Sequence, residues 1–300
     1  MRKDPLILSF GDIIWDQRPS GLSLGGSAAT FAGRVAALGR TVRLVGAVGA
    51  DEVGDRALRE LQSFGVDTAL VQRAPGLSTS VAQTLVSSDG TPSCSPPGAG
   101  ASGAVQENSE LLATAEYVEV LYWNSSTQRE PVAGATLKEF LCCSPPSFKV
   151  YDVDCSRHLP TRDDLEQSLE VASVVSVRGR EIAKVCELLG LPDLEPGLLA
   201  PAMTERFGVS YCIVSDPLAG ALISSIAGEQ VGLDLFRQTT VDTLGWHETF
   251  LAAFVHHVFE GSSLMRCCGA GMQYGDAVAA TAGALAPLSE DVLALVKEPG

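Results

Sequence analysis

Residues 41–67, TVRLVGAVGADEVGDRALRELQSFGVD, read as one strand–turn–helix unit. The apolar, β-branched run at 41–48 is a predicted strand. Gly49 opens the turn, Asp51 stands where a helix is capped, and a helix is predicted over 53–64, stopped by Gly65. The same unit recurs outward in both directions. Towards the N-terminus, 5–10 is a predicted strand, and 26–38 a helix with Ala28, Phe31, Ala32, Val35 and Leu38 on one stripe, stopped by Gly39. Towards the C-terminus, strands are predicted at 117–123, 149–153, 172–177, 211–214 and 221–226. Helices are predicted at 131–141, 163–171 and 179–189, and then at 246–260, 274–285 and 289–297.

This alternation predicts an α/β fold: a mostly parallel sheet covered by helices on both faces, three layers in all. Ligands of such sheets bind outside the carboxyl ends of the strands, so the loops that follow strands are where chemistry is expected. Two stretches break the alternation. Residues 16–24 lie between the first strand and first helix. Residues 81–102 begin with strand-like Val81, Gln83 and Leu85, turn at Asp89-Gly90 and continue as a Pro/Gly/Ser-rich loop. They read either as a small β-flap over the site or as a surface excursion. The expectation is one domain over 1–300, with 16–24 and 81–102 forming the flap as a lid.

Composition narrows the function classes. Of 300 residues, 46% are hydrophobic and 19% charged, which is ample for a packed core and unlike a disordered chain. The net charge of −15, with no Lys/Arg cluster, argues against nucleic acid as a partner. An anionic ligand remains open, because backbone N–H groups at a helix N-terminus bind phosphate without a basic surface. No apolar run approaches the roughly 20 residues that span a bilayer, and the N-terminal run is too short for a signal segment. The eight cysteines form no CxxC pair and are read as buried, reduced thiols of a cytoplasmic protein.

Three stretches, in order, carry a resemblance. Gly25-Gly26 opens the first helix; VGAVGADEVGD at 45–55 opens the second; VDTLGWHETF at 241–250 leads into a long helix. Together they resemble the ribokinase-like PfkB carbohydrate kinases, and FGDIIWDQRPSG at 10–21 resembles the fructokinase branch. The resemblance covers almost the whole chain. It implies ATP-dependent phosphorylation of a sugar hydroxyl with Mg2+, a sugar held by Asp16, Gly25, Gly26 and Thr30, and a helix N-terminus over 245–248 that receives the transferring phosphoryl group. Glu248 stands at the position of the catalytic base. Arg178 and Glu181 fall on an Asn-x-x-Glu station for magnesium and phosphate, with Glu181 acting through water. Ser215, Asp242 and Thr243 fall near the nucleotide. A monovalent cation and a homodimer through the lid are further implications. A nucleoside is an alternative substrate.

The chain departs from that pattern at nearly every catalytic station. Asp-Thr-x-Gly-Ala-Gly-Asp appears as Asp242-Thr243-Leu244-Gly245-Trp246-His247-Glu248. Glu248 carries its carboxylate one methylene, roughly 1.5 Å, further out, and a misplacement of about 1 Å can cost on the order of a hundredfold. The metal station reads Arg178-Gly179-Arg180-Glu181, Thr-x-Gly reads Ser215-Asp216-Pro217, and Asp-x-Asn-x-Arg reads Asp152-Val153-Asp154-Cys155-Ser156 with Arg157 one place late. Two readings follow: a divergent kinase in which Arg178 and His247 contact phosphates, or a pseudokinase that binds sugar or nucleotide and acts through partners. Simpler roles stand beside these. Trp246 and His247 can pack the first helical turn, Asp51 can cap, Asp242 can brace its loop or hold a cation, and Trp15 can be core or cover a sugar. Adjacent His256 and His257 point in different directions, which argues against a metal pair.

Overall fold

A computed structural model describes residues 5–95, 97–98, 100–143, 147–155, 159–235 and 239–298; Ser156 and Arg157 lie outside them. The strands are β1 (Ile7–Phe10), β2 (Ile14–Arg18), β3 (Gly21–Gly25), β4 (Val42–Gly49), β5 (Val71–Ala74), β6 (Val81–Val86), β7 (Pro92–Cys94), β8 (Val120–Asn124), β9 (Phe148–Val153), β10 (Val174–Arg178), β11 (Tyr211–Asp216), β12 (Gly220–Ser225) and β13 (Gln230–Asp234). The α-helices are α1 (Ser27–Ala37), α2 (Glu52–Ser63), α3 (Ser109–Thr114), α4 (Ser125–Arg129), α5 (Pro131–Cys143), α6 (Arg162–Val171), α7 (Ile182–Leu189), α8 (Pro196–Phe207), α9 (Trp246–Glu260), α10 (Leu264–Ala279) and α11 (Glu290–Lys297).

Nine strands form one sheet in the order β13-β12-β11-β10-β9-β8-β1-β4-β5, parallel except for the hairpin pairings of β12 and β13. Period-two alternation along the buried strands sends neighbours to opposite faces and divides the core. Ile7, Tyr122, Val174 and Ile213 face α1, α9 and α10. Leu8, Leu121, Val175 and Cys212 face α5 to α8. The three-layer α/β expectation is met. The flap is a separate four-stranded sheet, β3-β2-β6-β7, in which β2 pairs antiparallel with β3 and parallel with β6. It begins at Ile14, two residues before the expected start, and its last strand ends at Cys94.

Asp51 ties flap to helix. Its Oδ1 accepts from Gly54 N at 2.7 Å, capping α2, and its Oδ2 accepts from Thr79 N at 2.8 Å, on the approach to β6; such caps contribute about 1 kcal/mol. One helical expectation changes. The helix expected over 274–285 is the end of α10, which starts at Leu264 behind the Ser263 cap and stops at Ala279. Beyond it Gly283 takes φ 100°, outside the helical region. The cysteines are all free, yet only Cys186, Cys212, Cys267 and Cys268 are buried; Cys94, Cys142 and Cys143 are exposed. Among the described residues no helix is long and apolar enough to cross a membrane.

The two adjacent histidines near the end of α9, His256 and His257, are structural. Arg40 Nε donates to His256 Nδ1 at 3.1 Å, and His257 pairs with Ser262 Oγ and the Val296 carbonyl. Burial, then the neighbouring Arg40 charge, lowers the His256 pKa to about 4. The unfolded chain therefore binds a proton that the fold rejects, and stability from this residue is lost as pH falls from about 6.5 towards 4. A His256→Asn variant keeps an acceptor for Arg40 and is expected to show a smaller drop in melting temperature than the wild type between pH 6.5 and 4.5; equal drops refute the assignment.

Candidate active site

Sheet and flap enclose a cavity of about 530 Å3 at the carboxyl ends of β1, β9 and β10. At one end, the exit of β1 places Asp12 under the start of α1. Its carboxylate accepts from Ser27 N at 3.0 Å, Ala28 N at 3.3 Å and Asn124 Nδ2 at 3.2 Å. A Cβ on Gly26 (φ 93°) would lie 2.6 Å from the Asp12 carbonyl, so this close turn needs glycine. Gly26, Thr30 and Asp16 line the cavity, and the flap residues Ala82, Pro92 and Cys94 roof it. Asp16 is buried and accepts from Thr84 Oγ1 at 2.8 Å. Gly25 is off the cavity wall, pressed against Asp16.

At the other end, Gly245 at φ 83° turns the chain into α9. A Cβ there would meet Ala284 Cα at 2.8 Å, so the turn depends on glycine. The first-turn amides of α9 precede the i→i−4 register and stay available, except that Trp246 N bonds back to the Thr243 carbonyl at 3.2 Å. Gly245, His247, Glu248 and Thr243 line the cavity. Trp246 does not. Its indole is fully buried, stacked on Phe250 and donating to Asp276 Oδ1 at 3.1 Å. It fits against Gly275, where a Cβ would approach its ring to 2.7 Å. His247 Nδ1 lies 2.9 Å from Ser215 Oγ. Burial, then Arg178 and Arg180, pushes its pKa well below the usual value, so the ring is neutral at pH 7.

Arg178 organises this end. Its Nη2 lies 3.0 Å from both Asp152 Oδ2 and Glu248 Oε1, and its Nη1 lies 2.9 Å from Asp154 Oδ1 and 3.6 Å from Glu181 Oε1. Burial opposes its charge, but Asp152, Asp154, Glu181 and Glu248 outweigh burial and raise its pKa well above normal. Four carboxylates around one cation leave uncompensated negative charge. Burial, opposed by Arg178 and reinforced by Glu248, Asp154 and Glu181, drives the Asp152 pKa well up; burial also raises that of Glu181. Tyr122 Oη donates to Asp152 Oδ2 at 3.1 Å.

Glu181 sits behind Arg178, off the cavity, and accepts from Cys155 N at 3.0 Å. Among the described residues, no group of three or more His, Cys, Asp or Glu side chains is arranged to hold a metal. Ser215 lies off the main cavity and on a neighbouring one of about 570 Å3, which shares Gly179, Arg180 and Asp216 with it. Asp242 also lies off the cavity wall. It holds Leu244 N at 3.0 Å and Gly283 N at 2.9 Å, and pairs with Arg18 of the flap at 2.7 Å. Asp12, Asp154 and Arg180 line the cavity and were not among the expected site residues. Asp154 directly follows β9 and Asp12 lies two residues after β1, where strand ends place ligand-facing groups.

The chain matches the pfkB family carbohydrate kinases over residues 8–291. No curated protein matches it in sequence. Its fold is similar to that of a fructokinase from Vibrio cholerae O395, solved with fructose, ADP and calcium ion (TM-score 0.82, 16% identity, covering 99% of this chain and 100% of that one). A fructokinase from Xylella fastidiosa with bound ATP is similar too (0.79, 18%, 99% and 98%). So is an aminoimidazole riboside kinase from Salmonella enterica (0.74, 19%, 97% and 99%). With the family match spanning nearly the full length, and the glycine turns at α1 and α9 built as described, the chain belongs to the pfkB family of carbohydrate kinases.

Proposed function

We propose that the protein is a divergent sugar kinase that transfers a phosphoryl group from ATP to a hydroxyl of a fructose-like sugar held beneath the flap. The supporting observation is that Glu248 and the amide end of α9 share one cavity with Asp16, Gly26 and Thr30. Asp16, with Asp12 beside it, accepts hydrogen bonds from sugar hydroxyls. Glu248 accepts the proton of the attacking hydroxyl as the new O–P bond forms and the bond to the leaving ADP breaks. The available amides of the first α9 turn face the transferring phosphoryl group, and helix polarity adds partial positive charge. Neutral His247, fixed by Ser215, lines the same turn as a hydrogen-bonding group. Arg180, exposed at the junction of the two cavities, is the cation placed to meet nucleotide phosphates. The fructose and ADP of the Vibrio cholerae neighbour support sugar and nucleotide as the ligand pair; the riboside kinase neighbour keeps nucleosides in the substrate test.

Arg178 changes two parts of the family pattern. Its terminal nitrogens are spent on carboxylates, so it acts as an internal counter-charge and not as a phosphate donor. With that guanidinium in place and Glu181 off the cavity, the residues present do not fit a magnesium held through Glu181, and none is assigned there. Asp242 has its counter-charge in Arg18, so no monovalent cation is assigned to it. A homodimer through the flap is favoured by Leu85 of β6, 65% exposed. The free thiols favour a cytoplasmic setting.

A second reading has one observation behind it. Glu248 Oε1 is held by Arg178 Nη2 at 3.0 Å and is not free to face a sugar hydroxyl, which favours a sugar binder without transfer. Sugar-dependent ADP release, measured with fructose and with ribosides, separates the two. Under the kinase reading, Glu248→Gln lowers kcat by about 10²–10⁴-fold while fructose affinity changes little. Fructose binding without ADP release in the wild type selects the binder, and no ligand binding at all removes both.

The cage also makes a stability prediction. Arg178→Met leaves buried carboxylates without their cation and is expected to destabilise the fold by about 3–5 kcal/mol at pH 7. Folded-state pKa values then lie above the unfolded ones, so the fold binds more protons and the variant regains stability as pH falls towards 5. Urea unfolding at both pH values checks this; an equal loss at pH 7 and 5 contradicts the electrostatic account.

A further inference from the structure

The flap and the phosphate-facing turn meet at one buried ion pair. Arg18, the last residue of β2, is 8% exposed; its Nε donates to Ser23 Oγ at 3.0 Å on β3, and its Nη1 reaches Asp242 Oδ2 at 2.7 Å. Asp242 is 1% exposed, and its carboxylate also holds Leu244 N and Gly283 N, which immediately precede the closely packed Gly245 and Ala284. A second contact lies nearby. The carbonyl of Gly90, in the turn between β6 and β7, accepts from Thr243 N at 2.9 Å and from Thr243 Oγ1 at 3.2 Å. The flap thus grips residues 242 and 243 from two of its strand ends, immediately before the turn into α9.

We propose that Arg18 is a positioning residue, which makes closure of the flap over the sugar and setting of the Gly245 turn a single event. A carboxylate buried at Asp242 needs its guanidinium. When the flap lifts, that charge is left uncompensated, the carboxylate reorients towards water, and its bonds to Leu244 N and Gly283 N loosen. The phosphate-facing amides of α9 are then in place only when the flap has closed. The functional meaning of this coupling rests on the sugar-kinase reading; the coupling itself does not.

Amide hydrogen exchange on the full chain tests it, read at the flap strands 14–18 and 81–86 and at 241–249, with β8 to β10 as the internal reference. Coupling is reciprocal. Arg18→Met is expected to speed exchange by roughly tenfold or more at 241–249 as well as in the flap, and Asp242→Asn to do the same in the flap as well as at its own turn. Arg18→Lys restores part of the protection. The double variant Arg18→Met/Asp242→Asn removes both charges, guards against general loss of the fold, and is expected to exchange no faster than the single variants. Loosening confined to the mutated segment, or effects that add in the double variant, overturns the proposal. Wild-type sugar turnover, measured in parallel, keeps the two ideas separate. Coupled exchange without turnover removes the kinase reading and leaves the latch, whereas turnover with uncoupled exchange does the reverse.

Discussion

A single guanidinium holds the active end of this molecule together. Arg178 leaves β10 at its carboxyl end and meets side chains from β9, from the segment after β9, from the turn before α7 and from α9. These elements come from chain positions about 100 residues apart, and their carboxylates would repel one another in a buried site. The ion pairs turn that repulsion into a constraint on where α9 can start. The raised pKa of Asp152 shows how far the balance is stretched, because burial and its acidic neighbours push that carboxyl towards its protonated form despite Arg178.

The same economy appears at Asp242. Both carboxylate stations of this site find their positive charge within the chain, in Arg178 and in Arg18. Arg178 stands where acids converge, and Arg18 ends the first strand of the flap where the buried Asp242 faces it. A site that carries its own cations has fixed geometry, and it has less freedom to admit mobile ones.

Much of the fold was legible because it depends on local pattern. The alternating strands and helices, the cap at Asp51, and the glycine turns at Gly26 and Gly245 are each set by residues within a few positions. The sites of Asp16, Thr30, His247 and Glu248 follow from those turns. Less legible were α8, β5 and β13, whose apolar pattern is short or mixed, and the end of α10, where the predicted helix over 274–285 ran past Ala279. The Arg178 cage and the Arg18–Asp242 pair were not legible at all. Apart from the local Arg178–Glu181 contact, they join residues 24 to 224 positions apart, and one sequence carries no signal that such residues meet. Asp12 and Asp154 lay in view at strand ends, but many acids do.

Trp246 has a consequence for how this chain can change with time. Its indole fills the space that Gly275 leaves open on α10, so the two positions fit as a large and small pair. Placing a small residue at 246 alone would open a void in a closely packed core, at about 3–5 kcal/mol. Filling position 275 alone would drive a side chain into the indole. A change to a small residue at 246 with a larger one at 275 therefore needs two coordinated substitutions, each harmful by itself. A stability valley thus separates the present packing of this turn from that alternative.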